Sequence, residues 1–288
     1  MERILIIGRG FLGESIVNEF ADLEYKIGAT RFLNVGRGDF QVDIRDIGSI
    51  NTCIKKFKPD IIINCAANTQ LDFLEENPKI AFSINAEGAK NVATVCEREK
   101  IRLFHISTDG IFDGKKGSYN EQDKPNPLNV YAKSKFLAEK YVSEKCSDYV
   151  IIRTNFYGNN CDGKFLFNWV YNNLKRNKTF VSFADIVFTP LEITNLSKMI
   201  AELANKKFHG IIHLAASRPI NKYEFALKVG EIFNLSTNLI KKGSVEDLKL
   251  KALRPKNTSL SNEKSKSFLK TKEISLEEWL TSTKSKLG

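Results

Sequence analysis

The sequence predicts an α/β chain built on a doubly wound parallel sheet, with a smaller substrate-binding lobe towards the C-terminus. Three observations predict it. The first half alternates short apolar runs with amphipathic ones, the pattern of a parallel sheet covered on both faces. The first apolar run, Arg3-Ile-Leu-Ile-Ile7, leads at once into Gly8-Arg-Gly10-Phe-Leu-Gly13 and a helical pattern. Each chemically suggestive stretch falls at a strand's carboxyl end or in the helix that follows, where open α/β sheets bind ligands.

Strands are expected near 3–7, 25–29, 40–43, 60–65, 101–107 and 149–153, and helices near 11–22, 48–57, 78–98 and 130–145. The run Ile101-Arg-Leu-Phe-His-Ile106 is nearly unbroken in its apolarity, as a strand buried on both faces must be. Beyond Arg153 the pattern is less regular. Helices near 164–177, 191–205, 221–233 and 275–286 alternate with short strands near 179–183 and 211–215. With 288 residues and no repeat or linker, one large domain with a lobe accounts for the length. Residues 1–153, joined by parts of the second half, are expected to form the sheet domain. Residues 154–288 mainly form the lobe, interleaved with the first and without a sharp boundary.

Composition narrows the function. No stretch is long and apolar enough to cross a membrane, and Met-Glu-Arg-Ile-Leu runs straight into a strand, so no signal peptide is expected. The five cysteines (Cys53, Cys65, Cys96, Cys146, Cys161) are odd in number and lack metal-like pairing. They read as thiols of a reducing compartment, and the expected location is cytoplasmic. His209 and His213 are four apart, but in a strand that spacing builds no ligand pair, and no metal is expected. The net charge of +10 favours acidic partners. No nucleic-acid motif or base-stacking aromatic array accompanies it, so a solvated basic face that also attracts phosphorylated small molecules is the expectation.

A strand, a glycine turn and a helix start form a site for a pyrophosphate. Glycines let the backbone approach the anion, and free N–H groups and the helix dipole receive its charge. The competing reading is a tight βα turn without a ligand. In Asn126-Pro-Leu-Asn-Val-Tyr131-Ala-Lys-Ser-Lys135, Tyr131 and Lys135 project from one face of a starting helix. An ammonium beside a phenol is expected to lower its pKa from about 10 towards working pH, which suits proton transfer to a carbonyl. Tyr141/Lys145 and Tyr171/Lys175 repeat the spacing, so context must select the pair. That context is the upstream strand ending in Ser107-Thr108-Asp109.

With Asp43-Ile44, Asn64-Cys-Ala-Ala67, Asn85-Ala86 and Arg153-Thr154 added in order, the chain resembles the extended short-chain dehydrogenases/reductases. More closely it resembles the dTDP-4-dehydrorhamnose reductase family. The resemblance spans nearly the whole chain, through Asn221-Lys-Tyr-Glu-Phe-Ala226 and the segment from Arg254-Pro to Glu263. It implies a Rossmann-type sheet and a reductase acting on the C4 ketone of a nucleotide-linked 4-keto-6-deoxysugar, in polysaccharide biosynthesis. By position, Gly8, Gly10, Phe11, Leu12 and Gly13 would line the cofactor's phosphates. Asp43 and Ile44 would hold the adenine edge, and Cys65, Ala66 and Ala67 would pack along the cofactor. Thr108, Tyr131 and Lys135 would be the catalytic set, with Lys135 also on the nicotinamide ribose. Asp109 would accept from a sugar hydroxyl and Phe156 would lie against the sugar. A homodimer is carried over as an expectation; Glu14 matches one position of an interface metal whose other ligands the sequence does not show.

Three departures refine this picture. The glycine spacing is one residue shorter than the family's. The second strand ends in Ile27-Gly-Ala-Thr30-Arg31, without the acidic residue that grips the ribose of NAD. Arg31 is expected to favour the 2′-phosphate of NADPH, with NADH the alternative cofactor and a solvated loop arginine the alternative role. Gly110 replaces the tyrosine usual after Thr-Asp, which either widens the sugar pocket or merely serves a turn. It also removes the carboxylate that sugar 4,6-dehydratases need there. The second functional reading is a non-catalytic cofactor binder, since the methionine adenosyltransferase regulatory subunit resembles this family too.

Overall fold

The computed structural model describes residues 1–33, 36, 39–160 and 165–287. Cys161 and residue 164, where the sequence pattern begins a helix, lie outside them. Seven parallel strands form the central sheet: β1 (Glu2–Ile7), β2 (Tyr25–Arg31), β3 (Phe40–Gln41), β4 (Ile61–Asn64), β5 (Arg102–Thr108), β6 (Tyr149–Thr154) and the strand Gly210–Leu214. Their order is Gly210–Leu214, β6, β5, β4, β1, β2, β3. The chain moves outwards from β1 through β2 and β3, then returns to place β4 on β1's other side. The direction therefore reverses beside β1, and the carboxyl ends of β1 and β4 flank the crevice.

Alternation within β1 explains the two covered faces. Ile4 and Ile6 point into one core with α1 (Phe11–Ala21) and α8 (Ile193–Ala204). Leu5 and Ile7 point into the other with α2 (Ile47–Phe57), α5 (Gly88–Glu99) and α6 (Val130–Lys145). A third core, with Tyr157, Phe167, Phe225 and Leu280, joins α7 (Leu166–Lys175), α9 (Lys222–Ile232) and α11 (Leu276–Leu287). The chain after Arg153 thus contributes a sheet strand and α8 to the first body as well as building a separate core.

Several elements differ from the sequence expectation. The helix expected over 78–98 is broken into α4 (Pro78–Ala81), a π-helical turn at Phe82–Glu87 and α5, and is preceded by a short helix, α3 (Leu71–Glu76). The cause is Asn85, whose side chain accepts from Asn68 N–H at 2.8 Å and donates to the Asn68 carbonyl and to Ser134 Oγ, both at 3.0 Å. Those bonds tie the loop after β4 to α6 and hold the wider turn. The third strand spans only Phe40–Gln41, because the following residues turn back through an Asp43–Arg45 contact. A short helix α10 (Glu263–Phe268) and a strand Ile240–Gly243, paired in parallel with Phe180–Phe183, are additional. Among the described residues no helix is long and apolar enough to cross a membrane.

Candidate active site

The carboxyl end of β5 delivers Ser107, Thr108 and Asp109 beneath the second lobe. Asp109 is only 4% exposed, and its carboxylate accepts from Asn155 Nδ2 at 3.1 Å, Thr258 Oγ1 at 2.7 Å and Thr108 Oγ1 at 3.1 Å. Burial nevertheless raises its pKa, with those hydrogen bonds acting in the opposite sense. Where the resemblance expects Asp109 to accept from a sugar hydroxyl, both oxygens here accept from protein groups. Their visible effect is to hold Thr108.

Tyr131 and Lys135 come from the first turns of α6. Asn129 caps this helix by accepting from Ala132 N–H at 2.8 Å, and its amide donates to the Leu253 carbonyl at 2.8 Å. The cap thereby fixes the helix start to the C-terminal segment as well as satisfying a free N–H. The Tyr131 phenol meets the Thr108 hydroxyl, and burial pushes its pKa up to about 12. The ammonium was expected to pull that value down. Instead Lys135 Nζ donates to the Ile106 carbonyl at 2.6 Å, and desolvation lowers its own pKa to about 8. Removal from water dominates both values: for Tyr131 it exceeds the opposing Thr108 hydrogen bond, and for Lys135 it exceeds the attraction of Glu139.

The glycines of the β1–α1 turn divide three tasks. Gly8 has φ +90°, and a Cβ there would sit 2.7 Å from the backbone of Ala66. Gly13 packs so closely that a Cβ would lie 2.3 Å from the Gly8 carbonyl oxygen. Gly10, at the α1 N-terminus, faces open space, and no side chain caps the helix there. A phosphate fits such a cradle, because no side chain caps the first turn of α1 and no Cβ at Gly10 blocks the approach. Phe11 turns instead onto Phe165 and Phe156, with ring centroids 4.3 and 6.2 Å away, and Leu12 is buried in the core. This places Phe156 against the glycine-turn side of the cleft.

Beyond Gly8 a cavity of about 400 Å³ is lined by Asp43, Ile44, Ala66, Ala67 and Phe32. Arg45 forks onto Asp43, donating at 2.9 and 2.6 Å, and holds the carboxylate below its usual pKa. Cys65 packs into the core shared with α1 and α8, and burial lifts its thiol to about 12. The structure therefore brings Ala66 and Ala67 to the cavity wall but turns Cys65 away from it. Arg31 is not a solvated loop residue. It donates to Asp39 at 3.0 Å and to Glu14 at 3.1 Å, while Arg9 donates to the same two carboxylates at 2.7 and 2.8 Å. Glu14 is thus engaged by two guanidinium groups. Among the described residues no three His, Cys, Asp or Glu side chains converge as a metal site.

A family model described as the RmlD substrate binding domain matches residues 1–287. The chain belongs to this family. It is similar to the dTDP-4-dehydrorhamnose reductase of Bacillus anthracis, solved in complex with NADP, at 30% identity over 98% of each chain with a TM-score of 0.89. It is 32% identical to a probable low-salt glycan biosynthesis reductase of Haloferax volcanii over 225 residues, 76% of this chain and 75% of that protein. The beta subunit of methionine adenosyltransferase 2 from Bos taurus is 26% identical over 278 residues, 90% of this chain and 80% of the relative.

Within this member of the RmlD family, the site also uses residues that sequence reasoning missed. Asn155 and Thr258 secure Asp109 from positions 46 and 149 residues away. Glu139, buried with Arg153 in an ion pair of 2.8 Å, accepts from Ser107 Oγ at 2.5 Å and so ties β5 and β6 to α6. The Arg153-Thr154 motif pointed to that pair without showing its partner. Asn64 and His105 are in contact behind Lys135; Asn64 opens a motif of the resemblance without showing that partner, and His105 gives no signal beyond lying in an apolar strand.

Proposed function

We propose that the chain is an NADPH-dependent reductase of the C4 ketone of a nucleotide-linked 4-keto-6-deoxysugar, as in the dTDP-4-dehydrorhamnose reductases it resembles. The observation that carries this reading is the meeting of Tyr131 with Thr108, with Lys135 one turn on, at the sheet edge that also bears the open glycine turn. A bound nicotinamide would supply the hydride. The cradle at Gly10 and the α1 N-terminus would take the pyrophosphate, and the cavity beside Asp43, Ile44 and Ala66 would take the adenine.

At neutral pH Tyr131 is protonated, as an acid must be before it donates. The oxygen formed on hydride addition to a ketone is more basic than a phenolate, so the proton transfer runs downhill. Thr108 would turn its one hydroxyl proton from Asp109 to the same oxygen as charge develops there, the differential contact that raises rate rather than affinity. Lys135 stabilises the phenolate left behind. Arg31, together with Arg9, would meet the 2′-phosphate, exchanging part of its contact with Glu14 and Asp39 for a doubly charged anion.

The test is loss of NADPH absorbance on adding dTDP-4-dehydrorhamnose generated in place. Turnover by the native chain that disappears in Tyr131→Phe supports the reading. Tight cofactor binding without turnover of this or related keto sugars would favour the non-catalytic role instead.

A further inference from the structure

His105 is 1% exposed and lies directly behind Lys135. Asn64 and His105 are register partners on β4 and β5. The Asn64 amide is oriented by its Oδ1, which accepts from Ala66 N–H at 3.1 Å. Its Nδ2 therefore faces His105 Nδ1, at 3.3 Å, and an amide nitrogen only donates. Nδ1 must then be the bare nitrogen, so a neutral imidazole carries its proton on Nε2. That nitrogen lies 3.4 Å from Lys135 Nζ. An N–H directed at an ammonium opposes it, whereas directed at the lone pair of an amine it makes a hydrogen bond. The imidazole does not relieve the conflict by ionising, because burial and the adjacent lysine both disfavour its cation.

We propose that Asn64 and His105 act as a positioning pair: they fix the imidazole tautomer that faces Lys135 and so set how readily Lys135 releases its proton during the reduction. The proposal rests on the reductase reading. The other ionisable groups around Lys135 are Tyr131 and Glu139 on α6 and Cys65 after β4, with Arg153 of β6 beyond Glu139. Tyr131 and Cys65 are neutral at working pH, since burial raises both pKa values to about 12. Glu139 favours the ammonium, but Arg153 and Ser107 already hold both of its oxygens. The Ile106 carbonyl accepts from either form of the lysine. The Nε2–H is left as the neutral contact that distinguishes amine from ammonium. A lysine poised in this way returns a proton to the Tyr131 phenolate with a larger driving force than a lysine at its ordinary value.

Nitrogen NMR of histidine-labelled protein tests the first half without any substrate, with His105 assigned by its loss in His105→Gln. A neutral, Nε2-protonated ring is expected; an Nδ1-protonated ring or an imidazolium overturns the proposal. The second half is tested in Asn64→Asp, where the new carboxylate accepts from Nδ1–H and turns the Nε2 lone pair to the ammonium. The alkaline limb of the pH–rate profile should then move up by about one unit, a roughly tenfold gain in activity above the limb. The pH titration of the Lys135 side-chain carbon resonance should move by the same amount without turnover, so a failed reductase assay is distinguished from a failed proposal. His105→Gln, whose carbonyl can face the ammonium, should shift both in the same direction and serves if Asn64→Asp does not fold. An unmoved limb and titration in a folded variant overturn the proposal.

Discussion

Lys135 follows Tyr131 by one turn of α6, yet its short hydrogen bond goes to the Ile106 carbonyl across the β5 edge. The two side chains share a site while answering to different neighbours. Their ionisations are therefore separated in the order opposite to that of the free amino acids, with the phenol at about 12 and the ammonium at about 8.

This order predicts the pH dependence. Below about pH 8 Lys135 is charged and Tyr131 protonated, the combination the proposed mechanism needs. As pH rises through that value the ammonium is lost while the phenol keeps its proton. The value of kcat/KM should hold level from neutrality and then fall about tenfold per unit. Initial rates measured across the alkaline range check this, and a plateau that persists to the ordinary lysine value of about 10.4 would contradict it.

On the proposed mechanism, replacing Tyr131 by Phe removes only the acid. Turnover should drop by about 10²–10⁴-fold while the affinity for NADPH, read by fluorescence titration, stays within a few-fold. Loss of binding along with turnover would mean that Tyr131 chiefly shapes the cofactor site.

Arg31→Ala should raise KM for NADPH about tenfold or more and leave that for NADH little changed, since a charge-assisted hydrogen bond contributes about 1.5–3 kcal/mol. Arg9 still pairs with Asp39 in that variant, which guards the fold. Equal effects on both cofactors would assign Arg31 to the carboxylate network alone.

Gly110 does not have the backbone conformation that demands glycine. A Cβ there would meet only Thr108, at 3.4 and 3.8 Å. Gly110→Ala should therefore leave thermal stability within about 0.5 kcal/mol, and Gly110→Tyr should alter relative kcat/KM among keto sugars. A large drop in stability for the alanine variant would show that the turn needs glycine after all.

Glu139→Gln leaves Arg153 buried beside a neutral partner. Removing one member of a buried pair costs about 3–5 kcal/mol, so a marked fall in the urea midpoint is expected. A change below about 1 kcal/mol would mean that the new amide and His213, whose Nε2 lies 3.4 Å from Arg153 Nη1, suffice for the guanidinium.

The sheet was readable because strands buried on both faces must be apolar throughout, as in Arg3–Ile7 and Ile101–Ile106. The glycine turn and the Tyr131/Lys135 spacing are likewise local patterns. What the sequence hid depends on distant partners. Asn85 sits in a good helical pattern and still breaks it, because its amide serves Asn68 and Ser134. His105 reads as one more core residue until Asn64 and Lys135 are placed around it. The pKa order is hidden for a related reason: spacing reveals which charges are near, whereas burial is set by the whole fold.

The bonds that Asp109 receives from Asn155 and Thr258 also bear on synthesis. The ribosome adds residues from the N-terminus, and domains begin to fold as they emerge. A nascent chain released before Thr258 already carries six of the seven sheet strands by Thr154, and the seventh by Leu214. It lacks the hydroxyl that anchors Asp109 beside Thr108. Completion of the sheet and completion of the site are therefore separate events along the chain: the strands are all present by Leu214, while the anchor of Asp109 arrives only with Thr258.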